Sequence, residues 1–142
     1  MGGYFNITYA IVPDMLKVLC FGNPHFEMDS LALNVGEALG GKVTGVEFVV
    51  CGMDDRLLDE ADDMTIVLDV VKGIGEVRFI GIEELKKSRG ITAHDIDVGF
   101  YLRLLEKEGK RVKVIGIPEG MDQKDAILEV SGFIVDYLRT SR

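Results

Sequence analysis

A three-layer α/β/α sandwich around a mostly parallel, twisted sheet of about five strands is the fold this sequence predicts. Three observations point to it. Five short runs rich in β-branched and aromatic residues recur along the chain, and most are apolar throughout, as strands covered on both faces are. Between several of them lie longer segments with apolar residues at helical spacing, so strands alternate with helices and are joined by crossovers. Glycine, proline and asparagine punctuate the ends of the runs, where the chain must turn.

With 142 residues, 47% of them hydrophobic and 28% charged, the chain is long enough for one domain with a substantial core. That domain is expected over 15–142. Residues 1–14 carry aromatic and β-branched residues without a period and are set off by Pro13-Asp14, so they are expected to form a peripheral extension. A net charge of −8 excludes a binder of nucleic-acid backbones, which needs clustered Lys and Arg. The partner is expected to be a protein or a small cation. No apolar run reaches the roughly 18 residues of a membrane span, and no signal-peptide pattern stands out. No membrane insertion and a cytoplasmic location are therefore expected.

The first strand centres on Val18, Leu19, Cys20 and Phe21 and stops at Gly22-Asn23-Pro24, three residues that force the backbone out of extended form. Leu31, Val35, Ala38 and Leu39 follow at helical spacing, and Gly40-Gly41 ends that helix with a left-handed residue. A second strand is expected over 43–50, then a short acidic helix over 54–61. The run 64–71 is the most apolar in the chain and reads as a central strand. After the turn at Gly73 and Gly75, 76–80 resumes as a hairpin partner or a sheet edge. The polar stretch 81–96 reads as a functional loop. It leads to a helix carrying Val98, Leu102 and Leu105 and ending at Gly109. A fifth strand is expected over 112–117. A last helix over 122–139 shows Ile127, Val130, Ile134 and Leu138 as one stripe. Cys20 and Cys51 form neither a disulfide framework nor a CxxC pair. Both are expected to be buried, with Cys51 the more exposed of the two.

Three polar residues stand out against this background. Asp29 lies seven residues past Gly22, where a strand has ended and a helix begins. Such an aspartate serves either as a helix N-cap, worth about 1 kcal/mol, or as a ligand at the rim where open α/β sheets place their crevices. Asp69 sits inside an apolar strand, where a carboxylate is costly unless it is bonded to backbone N–H groups or to a cation. His94, in Thr92-Ala93-His94-Asp95, precedes a helix and is either a surface residue or a ligand. Two carboxylates and an imidazole with open positions suit nickel, zinc or iron.

Order and context extend the pattern: Gly22-Asn23 with Asp29, IVLD closing on Asp69, TAHDI around His94, and VIGIPE over 114–119. In these the chain from Val18 to Glu119 resembles the nickel-iron hydrogenase maturation endopeptidases. Those enzymes remove a C-terminal extension from the hydrogenase large subunit after its nickel is inserted. The resemblance implies a phosphorylase/hydrolase-like sheet and an aspartyl-type peptidase in which Asp29, Asp69 and His94 contact nickel. It also implies that the nickel is presented by the substrate, so that no cofactor is permanently bound. The partner would be the hydrogenase large-subunit precursor and the enzyme a monomer. Hydrolysis would follow from a metal-polarised carbonyl or from a water activated by an aspartate.

The chain departs from that family at three places. Met28 stands where a second acidic residue is usual, with Glu27 one further back and His25 near it, and either could substitute as a ligand. Ala32 replaces a glycine. Val50-Cys51-Gly52 replaces Asp-Gly-Gly after the second strand, which removes a carboxylate near the site and motivates a non-catalytic, nickel-site-binding assembly module as the second reading. A weaker resemblance, to the peptidyl-tRNA hydrolases, rests on Gly22-Asn23-Pro24 and Asn34-Val35-Gly36. There the catalytic histidine of that family is Leu33.

Overall fold

The computed structural model describes residues 15–22, 30–52, 65–81, 84, 107–109 and 112–140. In order these form β1 (Leu16–Phe21), α1 (Leu31–Leu39), β2 (Val46–Gly52), β3 (Thr65–Val71), β4 (Arg78–Ile80), β5 (Val112–Pro118) and α2 (Gln123–Thr140). The strands make one sheet in the order β2-β1-β3-β5-β4. β1, β2, β3 and β5 run parallel and β4 antiparallel, so the sheet is mostly parallel and five-stranded as the apolar runs predict. The expected helices over 54–61 and from Thr92 lie outside the described residues. Lys107 is helical and Gly109 takes φ +81°, where the sequence predicts a helix end.

One element differs from expectation, and an open alternative is decided. β2 starts at Val46 rather than at Val43, because Gly45 turns the chain with φ +81° and its carbonyl accepts the Leu16 N–H at 2.9 Å. β4 is a sheet edge and not a hairpin partner of β3, since β5 enters between the two. Gly116 explains how the strands fit there. It faces Asp69 on β3 and Arg78 on β4, and a Cβ on it would lie 2.7 Å from Ile80 Cγ1 and 3.0 Å from Ile74 Cδ1. The edge is covered by an aromatic cluster in which Phe79 meets Phe133 and Tyr137 edge to face, at 5.0 and 5.3 Å. Lys113 Nζ lies 5.1 Å from the Phe79 ring centroid, a favourable cation–π distance.

Alternation along the strands divides the core into two faces. One holds Val18, Cys20, Ile66, Leu68, Ile115 and Ile117, against Leu31, Val35 and Leu39 of α1 and Ala126, Val130 and Ile134 of α2. The other holds Leu19, Phe21, Cys51, Val67, Val71, Ile80 and Val114. α2 starts where its stripe predicts: Asp122 Oδ2 accepts the N–H groups of Lys124 and Asp125 at 3.1 and 3.4 Å, an N-cap.

Neither cysteine is in a disulfide and both are buried, Cys51 included, and they face opposite sides of the sheet. Burial pushes the Cys20 thiol from 9.0 up to about 12, with a smaller contribution from Cys51. The folded state thus holds this proton more tightly than the unfolded chain, and the stability it confers is full below pH 9 and lost as pH rises from 9 towards 12. From pH 8 to pH 10 the loss should be about 1.4 kcal/mol. Urea unfolding of wild type and Cys20→Ala at both pH values checks it; equal losses in the two proteins would contradict the assignment.

Candidate active site

The strand order creates one topological switch point. From β1 the chain passes through α1 to β2 on one side, whereas β3 lies on the other side of β1. Where connections diverge in this way, a crevice opens at the carboxyl ends of the two strands, and ligands of open α/β sheets bind there. The β1 end is Phe21-Gly22, and both residues are buried. The last pair between β1 and β3 is Cys20 with Leu68. Asp69 is the next residue of β3, level with the end of β1.

Asp69 is only 3% exposed, the most buried charged side chain among the described residues. Alternation puts it on the face with Thr65, Val67 and Val71. Its Oδ1 accepts the N–H of Val70 at 2.9 Å, a bond from the adjacent peptide. Glu119 N–H donates to the Val71 carbonyl at 3.1 Å, which ties the end of β3 to the Pro-Glu turn that closes β5. The carboxylate is therefore held on rigid strands at the rim.

Asp29 belongs to the connection between β1 and α1, directly before Ser30 at the helix N-cap position. His94 belongs to the connection between β4 and β5. The side chains of Asp29 and His94 lie outside the described residues, as do His25, Glu27 and Met28, so Asp69 is the member of the trio whose surroundings are seen. Among the described residues no three His, Cys, Asp or Glu side chains are grouped to hold a metal. The donor types nevertheless fit one, since carboxylate and imidazole are both ligands of a borderline divalent ion.

The departures from the family pattern have a structural setting. At the end of β2 the register slips, Cys20 facing Val50 and Phe21 facing Gly52, so that Cys51 is the extra residue of a bulge. Bulges at strand ends redirect side chains towards a crevice. Here Cys51 is buried with Leu19 and Phe21, and Val50 packs on the opposite face beside α1. The position that would carry an acid is thus apolar and turned to the core. Leu33 is buried in the α1 face and Asn34 Nδ2 donates to Gln123 Oε1 at 3.3 Å. The Asn34-Val35-Gly36 segment is therefore occupied with joining the two helices and packing α1. No helix among the described residues is long and apolar enough to cross a membrane.

No family model matches the chain, and no curated protein matches it by sequence. Solved structures do resemble it. The hydrogenase maturating endopeptidase HybD from E. coli superimposes with a TM-score of 0.67 at 18% identity, over 89% of this chain and 93% of that one. The Hydrogenase 3 maturation protease gives 0.64 at 17%, over 85% and 89%. The [NiFe] hydrogenase maturation protease HycI from Thermococcus kodakarensis KOD1 gives 0.58 at 18%, over 94% and 99%. The chain has the fold of these proteins along nearly its whole length, and they are the same kind of protein that its motifs resemble.

Proposed function

We propose that this protein is an endopeptidase that removes the C-terminal extension of a nickel-iron hydrogenase large-subunit precursor after nickel insertion. One observation carries the reading: a buried carboxylate, Asp69, on the central strand at the switch point of a fold shared with maturation proteases. The order of Asp29, Asp69 and His94 along the chain supports it. Asp29 follows the strand on the other side of the same crevice. His94 lies within a connection that leaves β4 and enters β5 at the opposite, amino edge of the sheet, yet it has the reach. At about 3.3 Å per residue the stretch 81–94 spans up to roughly 45 Å, against roughly 23 Å for a seven-residue strand.

In this reading nickel is part of the substrate. Asp29, Asp69 and His94 complete the coordination of the presented ion and so fix the scissile bond beside it, which replaces a bimolecular search by a held geometry. The bound ion supplies polarisation of the scissile carbonyl, and a carboxylate at the rim takes the proton of the attacking water. The partner is the nickel-loaded precursor, on which the enzyme acts as a monomer in the cytoplasm.

The core-facing Val50, where the family pattern has an acid, favours a second reading, an assembly module that binds the nickel site without cutting. One experiment separates the two. In single turnover with a nickel-loaded precursor, wild type should release the C-terminal peptide and Asp29→Asn should be slower by roughly 10²- to 10⁴-fold. A precursor left intact by wild type, but retained by it on a column, would favour the module.

A further inference from the structure

A groove of about 400 Å³ lies far from the crevice, lined by Lys42, Val43, Thr44, Ser131, Val135, Leu138 and Arg139. Its position follows from topology. Lys42, Val43 and Thr44 precede the start of β2 at Val46, at the amino edge of the sheet. α2 begins just after β5 and crosses the sheet face, so its last turns reach that same edge. Asp69 lies towards the carboxyl edge, and an occupant of the groove would leave the crevice open.

The lining has a definite chemistry. Val43 and Leu138 pack against the core, and with Val135 they give the groove an apolar floor. Lys42 and Arg139 are exposed at its rim, and neither makes an ion pair with another described residue. Beyond the groove, two turns nearer the start of α2, stands Leu128, which is 71% exposed. Lys124, Leu128, Val135 and Arg139 stand four, seven and four residues apart and share one helix face. Cations thus stand at both ends of an aliphatic strip, on a chain whose net charge is −8. Asp125, Glu129 and Asp136 line the adjoining side of the helix, Asp125 and Asp136 three residues before Leu128 and Arg139.

We propose that this face of α2, with the groove formed by Lys42, Val43 and Thr44, docks a segment of a partner protein that bears aliphatic side chains flanked by carboxylates. An amphipathic helix with acidic flanks meets both features, its apolar side chains entering the groove and covering Leu128, its carboxylates reaching Lys42, Lys124 and Arg139. A second copy of this chain fits less well. Antiparallel pairing of two α2 helices would set Lys124 of one against Arg139 of the other. This surface is independent of the peptidase reading.

The test uses the full chain and a fluorescent synthetic 18-residue helix-forming peptide with leucines at helical spacing flanked by glutamates, beside its Glu→Gln counterpart. The acidic peptide should bind saturably, about tenfold more tightly than the neutral one, with amide shifts at Val43, Thr44, Ser131 and Val135. Lys42→Glu with Arg139→Glu should weaken it by about tenfold or more at an unchanged melting temperature. If that variant does not fold, Arg139→Gln and a salt titration of wild type read the same dependence. Equal affinity for the two peptides, no binding, or shifts confined to other faces would overturn the proposal. So would a dimer in sedimentation that Leu128→Glu dissociates, because the occupant would then be a second copy.

Discussion

Asp69→Asn is expected to give a folded protein that processes nickel-loaded precursor roughly 10²- to 10⁴-fold more slowly than wild type. The substitution is nearly isosteric, and the amide oxygen can keep the bond that Oδ1 accepts from the Val70 N–H at 2.9 Å. What it removes is charge. A carboxylate 3% exposed between two parallel strands costs several kcal/mol to bury unless a cation or several donors compensate it. Natural selection for stability alone would favour an apolar residue there, as at Val67 and Val71 on the same face. If the charge is kept for the substrate's ion, neutralising it should leave the melting temperature equal or higher while cleavage collapses. If the carboxylate is held for structure, the amide should lose donors and the melting temperature should fall by several degrees. Single-turnover cleavage and thermal unfolding, measured on the same preparation, separate these outcomes.

The reason Asp69 could be read from sequence is that it violates its surroundings: one charge in the run IVLDVV is anomalous whatever the fold. Asp29 and His94 sit in connections with no apolar period to violate, and only their order relative to strands, compared with a known family, singled them out. The sheet was legible for a similar reason, since buried parallel strands are written as uninterrupted apolar runs. Strand partners were not. Nothing within Glu76 to Ile80 says that β5, from more than thirty residues on, will enter between it and β3. Val43 looks like the first residue of β2, and only Gly45 with φ +81° cuts it away. The α2 groove joins a turn near residue 43 to a helix near residue 135, a pairing that no local pattern encodes.

The same long-range dependence underlies the second large effect, expected at Gly36. In a helix interior glycine is ordinarily a defect, and replacing it with valine should gain a few tenths of a kcal/mol from propensity. Here a Cβ would fall 2.4 Å from Cys20 Sγ and 3.1 Å from Cys20 Cβ. Cys20 is fully buried, so its sulfur has no empty space to turn into. Either α1 must rise off β1 or the strand must bend, and overpacking of this kind costs about 1 to 3 kcal/mol, with a β-branched residue towards the upper end. Gly36→Val should therefore lose about 3 kcal/mol in urea unfolding, a large share of the roughly 5 to 15 kcal/mol that holds a domain together. Cys20→Ala should return about 1 kcal/mol of that loss in the double variant, because it removes Sγ but leaves Cβ, and the two substitutions should be measurably non-additive. A variant as stable as wild type would show that the helix can slide. The shift also reaches the crevice. Asp29 stands immediately before Ser30, whose carbonyl accepts the Asn34 N–H at 2.9 Å in the first turn of α1. Raising the helix displaces the point from which Asp29 is hung. Folded Gly36→Val should consequently cleave precursor more slowly even below its melting temperature, whereas an unaltered rate would mean that Asp29 is positioned by something other than α1.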